Sequence, residues 1–186
     1  MRITEAEKST LLSLAGRAIA EKIAPQIPPS SAMPDLTETL QRNCGAFVSL
    51  YVDQELRGCI GTFSEEEALF KNVESMAISA AINDSRFTSI HPHELSQLEL
   101  EISILTPRQR ISDPSEIVIG LHGIYIKQGS NRGTLLPQVA VAQNWTVKEF
   151  LGNCSRYKAG IGWDGWKAAE IYTYEAIVFK AEMPSF

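Results

Sequence analysis

From Leu98 to Leu105 the chain alternates strictly, with Leu98, Leu100, Ile102 and Ile104 on one side of an extended strand and Glu99, Glu101 and Ser103 on the other. A strand with one apolar and one polar face belongs to an antiparallel sheet covered by helices on one side. The helices to cover it are readable. Thr4 and Glu7 form a capping-box pattern ahead of an apolar stripe at Leu11, Leu12, Ala15, Ala18, Ile19 and Ile23, which predicts a helix running to about Ala24. Ser64 and Glu67 repeat that pattern before Leu69, Val73, Met76, Ala77 and Ala80, predicting a second helix over about Glu65 to Asn83. Two β-rich runs, Ala46 to Val52 and Leu56 to Phe63, are separated by Asp53-Gln54-Glu55, the length of a tight hairpin. Pro25, Pro28, Pro29 and Pro34 make an extended loop, read as a wrap over the surface of one domain.

The final β-rich run, Ile171 to Ala181, lies beyond a middle region of different texture. There Ile117-Val118-Ile119, Gly123 to Gln128 and Gly133 to Leu136 are short strand candidates divided by glycine turns. Pro137 suits the first turn of a short helix, and Val147 to Ala159 suits another with Phe150, Cys154 and Tyr157 on one face. Strands on both sides of this region are expected to share one sheet. The chain is therefore expected to be α+β, with a larger lobe of about 1–110 and 166–186 and a smaller inserted lobe of about 111–165.

Composition narrows the function classes. With 17 Lys+Arg against 22 Asp+Glu the net charge is −5, and no basic cluster is present to track a phosphate backbone, so no nucleic-acid partner is expected. No apolar run approaches the roughly 18 residues needed to span a bilayer, and Met1 to Lys8 is polar, so a cytoplasmic protein is expected. Cys44, Cys59 and Cys154 are odd in number and widely spaced, which fits neither a disulfide framework nor a zinc site.

Chemistry concentrates in Leu56-Arg57-Gly58-Cys59-Ile60-Gly61. Strand alternation turns Arg57, Cys59 and Phe63 to one side and Leu56, Ile60 and Thr62 to the other. A guanidinium beside a thiol favours the thiolate, the nucleophilic form. Gly58 and Gly61 suit a place where a ligand or another backbone approaches closely. The competing reading makes Cys59 a small buried hydrophobe with the glycines serving packing. His122 is the best base among three histidines and is expected near the start of a strand; the competing role is a turn histidine bonded to backbone. Glu101 shares the polar face of its strand and could line a site or face solvent. Asp84 and Arg86 read as a local pair fixing the turn after the second helix. Trp145, Trp163 and Trp166 read as packing residues, or as an aromatic wall suited to a peptide or planar ligand.

The hexapeptide, with Gly45-Ala46-Phe47-Val48, Asp84 and Arg86-Phe87, Gly120 and His122-Gly123, Leu135-Leu136-Pro137-Gln138-Val139-Ala140 and Lys158-Ala159-Gly160, resembles the AMMECR family, called protein A of the AmmeMemoRadiSam system in prokaryotes. The match covers nearly the whole chain. It implies an α+β fold of two unequal lobes, the larger holding both termini around an antiparallel sheet flanked by helices, with the signature facing the cleft between them. The family has no established reaction; it is associated with a radical-SAM protein and a relative of non-haem-iron dioxygenases, which makes such proteins expected partners by analogy. Two departures stand out. Arg156 occupies a position where the resemblance calls for a cysteine, and Ser85 one where it calls for proline.

Two functional readings follow. In one, the protein is an enzyme acting on a small molecule or protein in the cleft, with Cys59 as nucleophile, Arg57 stabilising thiolate or oxyanion, His122 as general base, and Arg57, Gly58, Gly61 and Glu101 contacting substrate. In the other it is a noncatalytic module that captures a protein or peptide, Arg57 anchoring a carboxylate. Neither reading requires a cofactor or metal.

Overall fold

The computed structural model describes residues 2–26, 35–63 and 65–183. In chain order the elements are α1 (Glu5–Ile23), β1 (Ala46–Val52), β2 (Glu55–Thr62), α2 (Leu69–Ile82), β3 (Glu99–Leu105), β4 (Gln109–Ile111), β5 (His122–Gln128), β6 (Asn131–Leu135), α3 (Pro137–Ala142), α4 (Val147–Asn153) and β7 (Glu170–Glu182). The fold is α+β, with antiparallel strand pairing flanked by helices. Its contacts divide into two compact units, Met1–Leu105 with Ile177–Phe186, and Thr106–Ala176. The wrap expected at Pro28, Pro29 and Pro34 lies outside the described residues, as does Ser64.

In the first unit β1 pairs with β2 on one side and β3 on the other, and the second half of β7 lies beside β3. The apolar faces of β1 and β3, with Val48, Leu50, Leu100, Ile102 and Ile104 all fully buried, meet Leu11, Ala15 and Ile19 of α1 and Val73 and Ala77 of α2 in one core. The α1 capping box forms as expected: Glu7 N–H donates to Thr4 Oγ1 at 3.2 Å and Thr4 N–H to Glu7 Oε2 at 2.8 Å. Thr37 adds a hydroxyl donor to Glu7 Oε1 at 2.6 Å.

The second helix starts later than the expected Glu65. That helix starts at Leu69 with Ala68 as N-cap and no side-chain cap, and its first two N–H groups are taken instead by backbone carbonyls, Leu69 N–H by Arg42 O and Phe70 N–H by Leu40 O. The β1–β2 hairpin turns on Asp53 and Gln54, both with positive φ (50° and 67°), the primed geometry that matches strand twist.

In the second unit β5 lies between β6 and β7, and β4 pairs with β7. Ile124, Ile126, Phe150, Leu151, Cys154 and Ile171 form its core. Two expectations change here. Residues 117–119 are not a strand: Asp113 caps a single turn at Pro114–Glu116, and Val118 O then accepts from Leu121 and His122 N–H in a tight turn. The helix expected over Val147 to Ala159 also widens after Asn153, where Ala159 N–H reaches back five residues to Cys154 O at 2.9 Å. That wider turn breaks the apolar face. Phe150 and Cys154 are fully buried, whereas Tyr157 is 67% exposed.

Candidate functional site

The signature residues sit on β2, whose pairing with β1 contains a bulge. Leu50 faces Gly58 and Tyr51 faces Leu56, so Arg57 is an extra residue with no partner. The bulge corrects the simple alternation: Leu56 falls in register with Tyr51, and Arg57 leaves the side-chain pattern that Cys59 follows. Arg57 Nε and Nη2 both lie 2.9 Å from Glu94 Oε1, and Nη1 donates to Thr88 O at 3.3 Å. This ion pair is 20% and 14% exposed, so the Arg57 charge is spent on the turn at 92–97.

The guanidinium that serves Cys59 belongs to Arg86. Its Nη2 donates to Cys59 O at 3.1 Å, and Asp84 Oδ2 accepts Cys59 N–H at 2.9 Å. Arg86 and Asp84 are joined as a fork, Nε to Oδ1 at 2.9 Å and Nη2 to Oδ2 at 2.7 Å. Both outward-facing backbone groups of Cys59 are thus held by one ion pair. Asp84 is buried, and its Arg86 bonds hold its carboxyl far below the usual carboxylate range, with the Cys59 N–H adding to the effect. The pair does fix the turn after α2, as expected, since Asp84 Oδ1 also takes Arg86 N–H at 3.2 Å. Its grip on Cys59 was not legible.

On the sheet face away from α1 and α2, the register places Cys59, Ser49 and Glu101 in one row across β2, β1 and β3. Ser49 Oγ donates to Cys59 Sγ at 3.2 Å. Cys59 is partly exposed; Ser49 is 6% exposed. Burial pushes the Glu101 carboxyl up despite Lys180 nearby, and burial together with Glu101 and Cys59 pushes the Tyr51 phenol up. Lys180 pairs with Glu99 at 2.8 Å. Ser49 and Tyr51 are members of this face that the sequence reading missed.

The glycines serve packing at close range. A Cβ on Gly58 would come within 2.1 Å of Ala80 O, so this glycine admits the backbone of α2. A Cβ on Gly61 would lie 2.1 Å from Phe47 Cγ, so the Phe47 ring covers that position, edge-on to Phe63 at 5.5 Å.

The other two thiols are inert by comparison. Cys44 is 6% exposed, donates to Leu105 O at 2.9 Å, and is pushed up to about 11 by burial; Cys154 is fully buried and pushed up to about 12. His122 opens β5 in the second unit, and its Nδ1 accepts the Val118 N–H at 3.1 Å. With Nδ1 occupied, the neutral ring carries its proton on Nε2, which makes that nitrogen a donor. His91 and His93 stack at 5.7 Å, and among the described residues no group of three or more His, Cys, Asp or Glu is placed to hold a metal ion.

Comparison with known proteins bears on these positions, because the AMMECR1 family model matches residues 12–179, spanning β2, the Asp84–Arg86 turn and β5. The chain belongs to the AMMECR1 family. Among AMMECR1 relatives, a protein of Methanosarcina acetivorans is 37% identical, over 98% of this chain and 95% of its own. Protein MK0488 of Methanopyrus kandleri is 38% identical over 98% and 92%. The crystal structure of the uncharacterized protein PH0010 from Pyrococcus horikoshii superposes with a TM-score of 0.87 at 32% identity, covering 99% of this chain and 96% of that one. This AMMECR1 fold therefore recurs over nearly the full length. No helix among the described residues is long and apolar enough to cross a membrane.

Proposed function

We propose that this AMMECR1-family chain is an enzyme whose reactive group is the Cys59 thiol, attacking an electrophilic carbon of a small-molecule or protein substrate. The observation that carries the reading is the setting of that sulfur. It is the one partly exposed cysteine of the three, it accepts a hydrogen bond from Ser49 Oγ, and the Arg86 guanidinium is fixed beside its residue by Asp84. The Ser49 hydroxyl orients the sulfur, and the fixed Arg86 cation stands beside the same residue. The same donors could hold an oxyanion formed on attack.

Arg57 enters this proposal through Glu94, as a residue that fixes β2, and Gly58 and Gly61 enter by letting α2 and Phe47 close on the strand. Glu101, one strand beyond Ser49 on the same face, is assigned contact with substrate. His122 is given no proton-accepting step while its Nδ1 holds Val118. Radical-SAM and dioxygenase-like partners and a cytoplasmic setting belong to the same proposal, supported by the family resemblance.

The test is selective alkylation. Native protein treated with iodoacetamide at neutral pH, then digested and mapped, is expected to carry label on Cys59 and none on Cys44 or Cys154. Absence of label on Cys59 under conditions that modify a free thiol overturns the proposal.

A further inference from the structure

The second unit carries a groove that the Cys59 reading does not use. A cavity of about 500 Å³ is walled by Arg110, Ile111, Pro114, Trp166, Glu170 and Ile171, and a neighbouring one of about 440 Å³ shares Pro114 and Trp166 with it. These volumes fall within the range of small-molecule sites. We propose that this groove binds a small organic anion, a carboxylate carried on a flat apolar ring, with Arg110 taking the carboxylate and Trp166 the ring. The proposal stands independently of Cys59.

The charges on the wall are not equivalent. Glu116 Oε1 accepts the N–H groups of Ser112 and Asp113, each at 3.0 Å, and Glu170 Oε2 accepts the Tyr172 hydroxyl at 2.7 Å. Lys167 is paired with Asp164 at 2.6 Å. Each of these groups already has a close partner. The Arg110 guanidinium makes no hydrogen bond among the described residues; its nearest acid is Glu170 Oε2 at 3.9 Å, and its side chain is 67% exposed. A planar fork of unspent donors matches a carboxylate in two-point contact.

The tryptophans divide in the same way. The Trp163 ring lies against Gly152, where an added Cβ would meet it at 2.6 Å, and Trp145 packs on the core. Trp166 packs partly on that core but also faces both cavities; its Nε1 is sealed with no partner among the described residues and Lys167 Nζ lies 5.7 Å from its ring centre, so its contribution to a ligand is the remaining ring surface. Ile111, Pro114 and Ile171 supply the apolar floor.

The experiment is a titration of the full chain with 1-naphthoate, followed by the indole N–H resonance of Trp166, with uncharged 1-naphthylmethanol as control. Saturable shifts at Trp166 are expected, weakened about tenfold or more by Arg110→Gln and by replacing the carboxylate with the alcohol. Glu170→Gln removes the competing acid and is expected to bind at least as tightly as the unaltered chain. Arg110 is exposed, so its replacement leaves the fold intact. No shift at Trp166, or equal affinity in Arg110→Gln and the unaltered chain, overturns the proposal.

Discussion

The carboxylate of Asp84, 25 positions further along the chain, accepts the backbone N–H of Cys59 at 2.9 Å. The same carboxylate holds Arg86, which returns a bond to Cys59 O at 3.1 Å. An ion pair thus completes the hydrogen bonding of an edge strand at the residue whose sulfur faces the polar side of the sheet.

Removing Asp84 leaves a strand N–H and a guanidinium without their acceptor. Asp84→Ala is expected to lower stability by about 1–3 kcal/mol, the low end reflecting the half-exposed Arg86. Denaturant unfolding measures this. Amide exchange at Cys59 is expected to quicken in the variant, whereas a purely local turn role would leave that amide unchanged.

The two signature glycines separate by what they touch. Gly58→Ala meets the α2 backbone at Ala80 and is expected to cost about 1–3 kcal/mol, with no side-chain change able to relieve it. Gly61→Ala meets only the Phe47 ring, so Phe47→Leu is expected to restore part of the loss. A double-mutant cycle of Gly61→Ala with Phe47→Leu, set beside Gly58→Ala alone, checks the contrast.

Acid sensitivity is expected from Glu7. Its hydrogen bond from Thr37, then those from Thr4, hold its carboxyl down to about 2, against 4.5 unperturbed. The folded value is the lower one, so its contribution is present above about pH 4.5 and is lost as pH falls toward about 2. Unfolding curves across that window are expected to show a steeper loss in the unaltered protein than in Glu7→Gln; equal slopes contradict the assignment.

Much of this architecture was legible because it rests on local pattern. The alternation of Leu98 to Leu105, the Thr4–Glu7 box and the stripe of α1 mark the core and its covering helix, and all three are present. What could not be read depends on single insertions in regular geometry. The hairpin turns on two residues, Asp53 and Gln54, and not on three, so Val52 pairs with Glu55; the bulge at Arg57 then moves the pairing by one, and Ser49 stands opposite Cys59. The wide turn at Cys154 displaces Tyr157 for the same kind of reason. Arg86 was invisible as a neighbour of Cys59 because the contact joins α2's trailing turn to β2 through side chains, with no periodic trace.

Arg57 and Glu94 are expected to couple with each other rather than with the thiol. A double-mutant cycle on unfolding free energy should give about 1 kcal/mol of interaction for this mostly buried pair, and Arg57→Lys should lose much of it because the Nε contact disappears. Alkylation of Cys59 is expected to change little in Arg57→Lys.

The rate of Cys59 alkylation at neutral pH, measured beside glutathione in the same solution and repeated in Arg86→Gln and Ser49→Ala, bears most directly on whether this sulfur is a reactive centre. Cys59 is expected to react about tenfold faster than glutathione or more, and to slow severalfold in each variant while both remain folded. A rate at or below that of glutathione, unmoved by either substitution, would contradict a reactive Cys59 and leave it a packing residue.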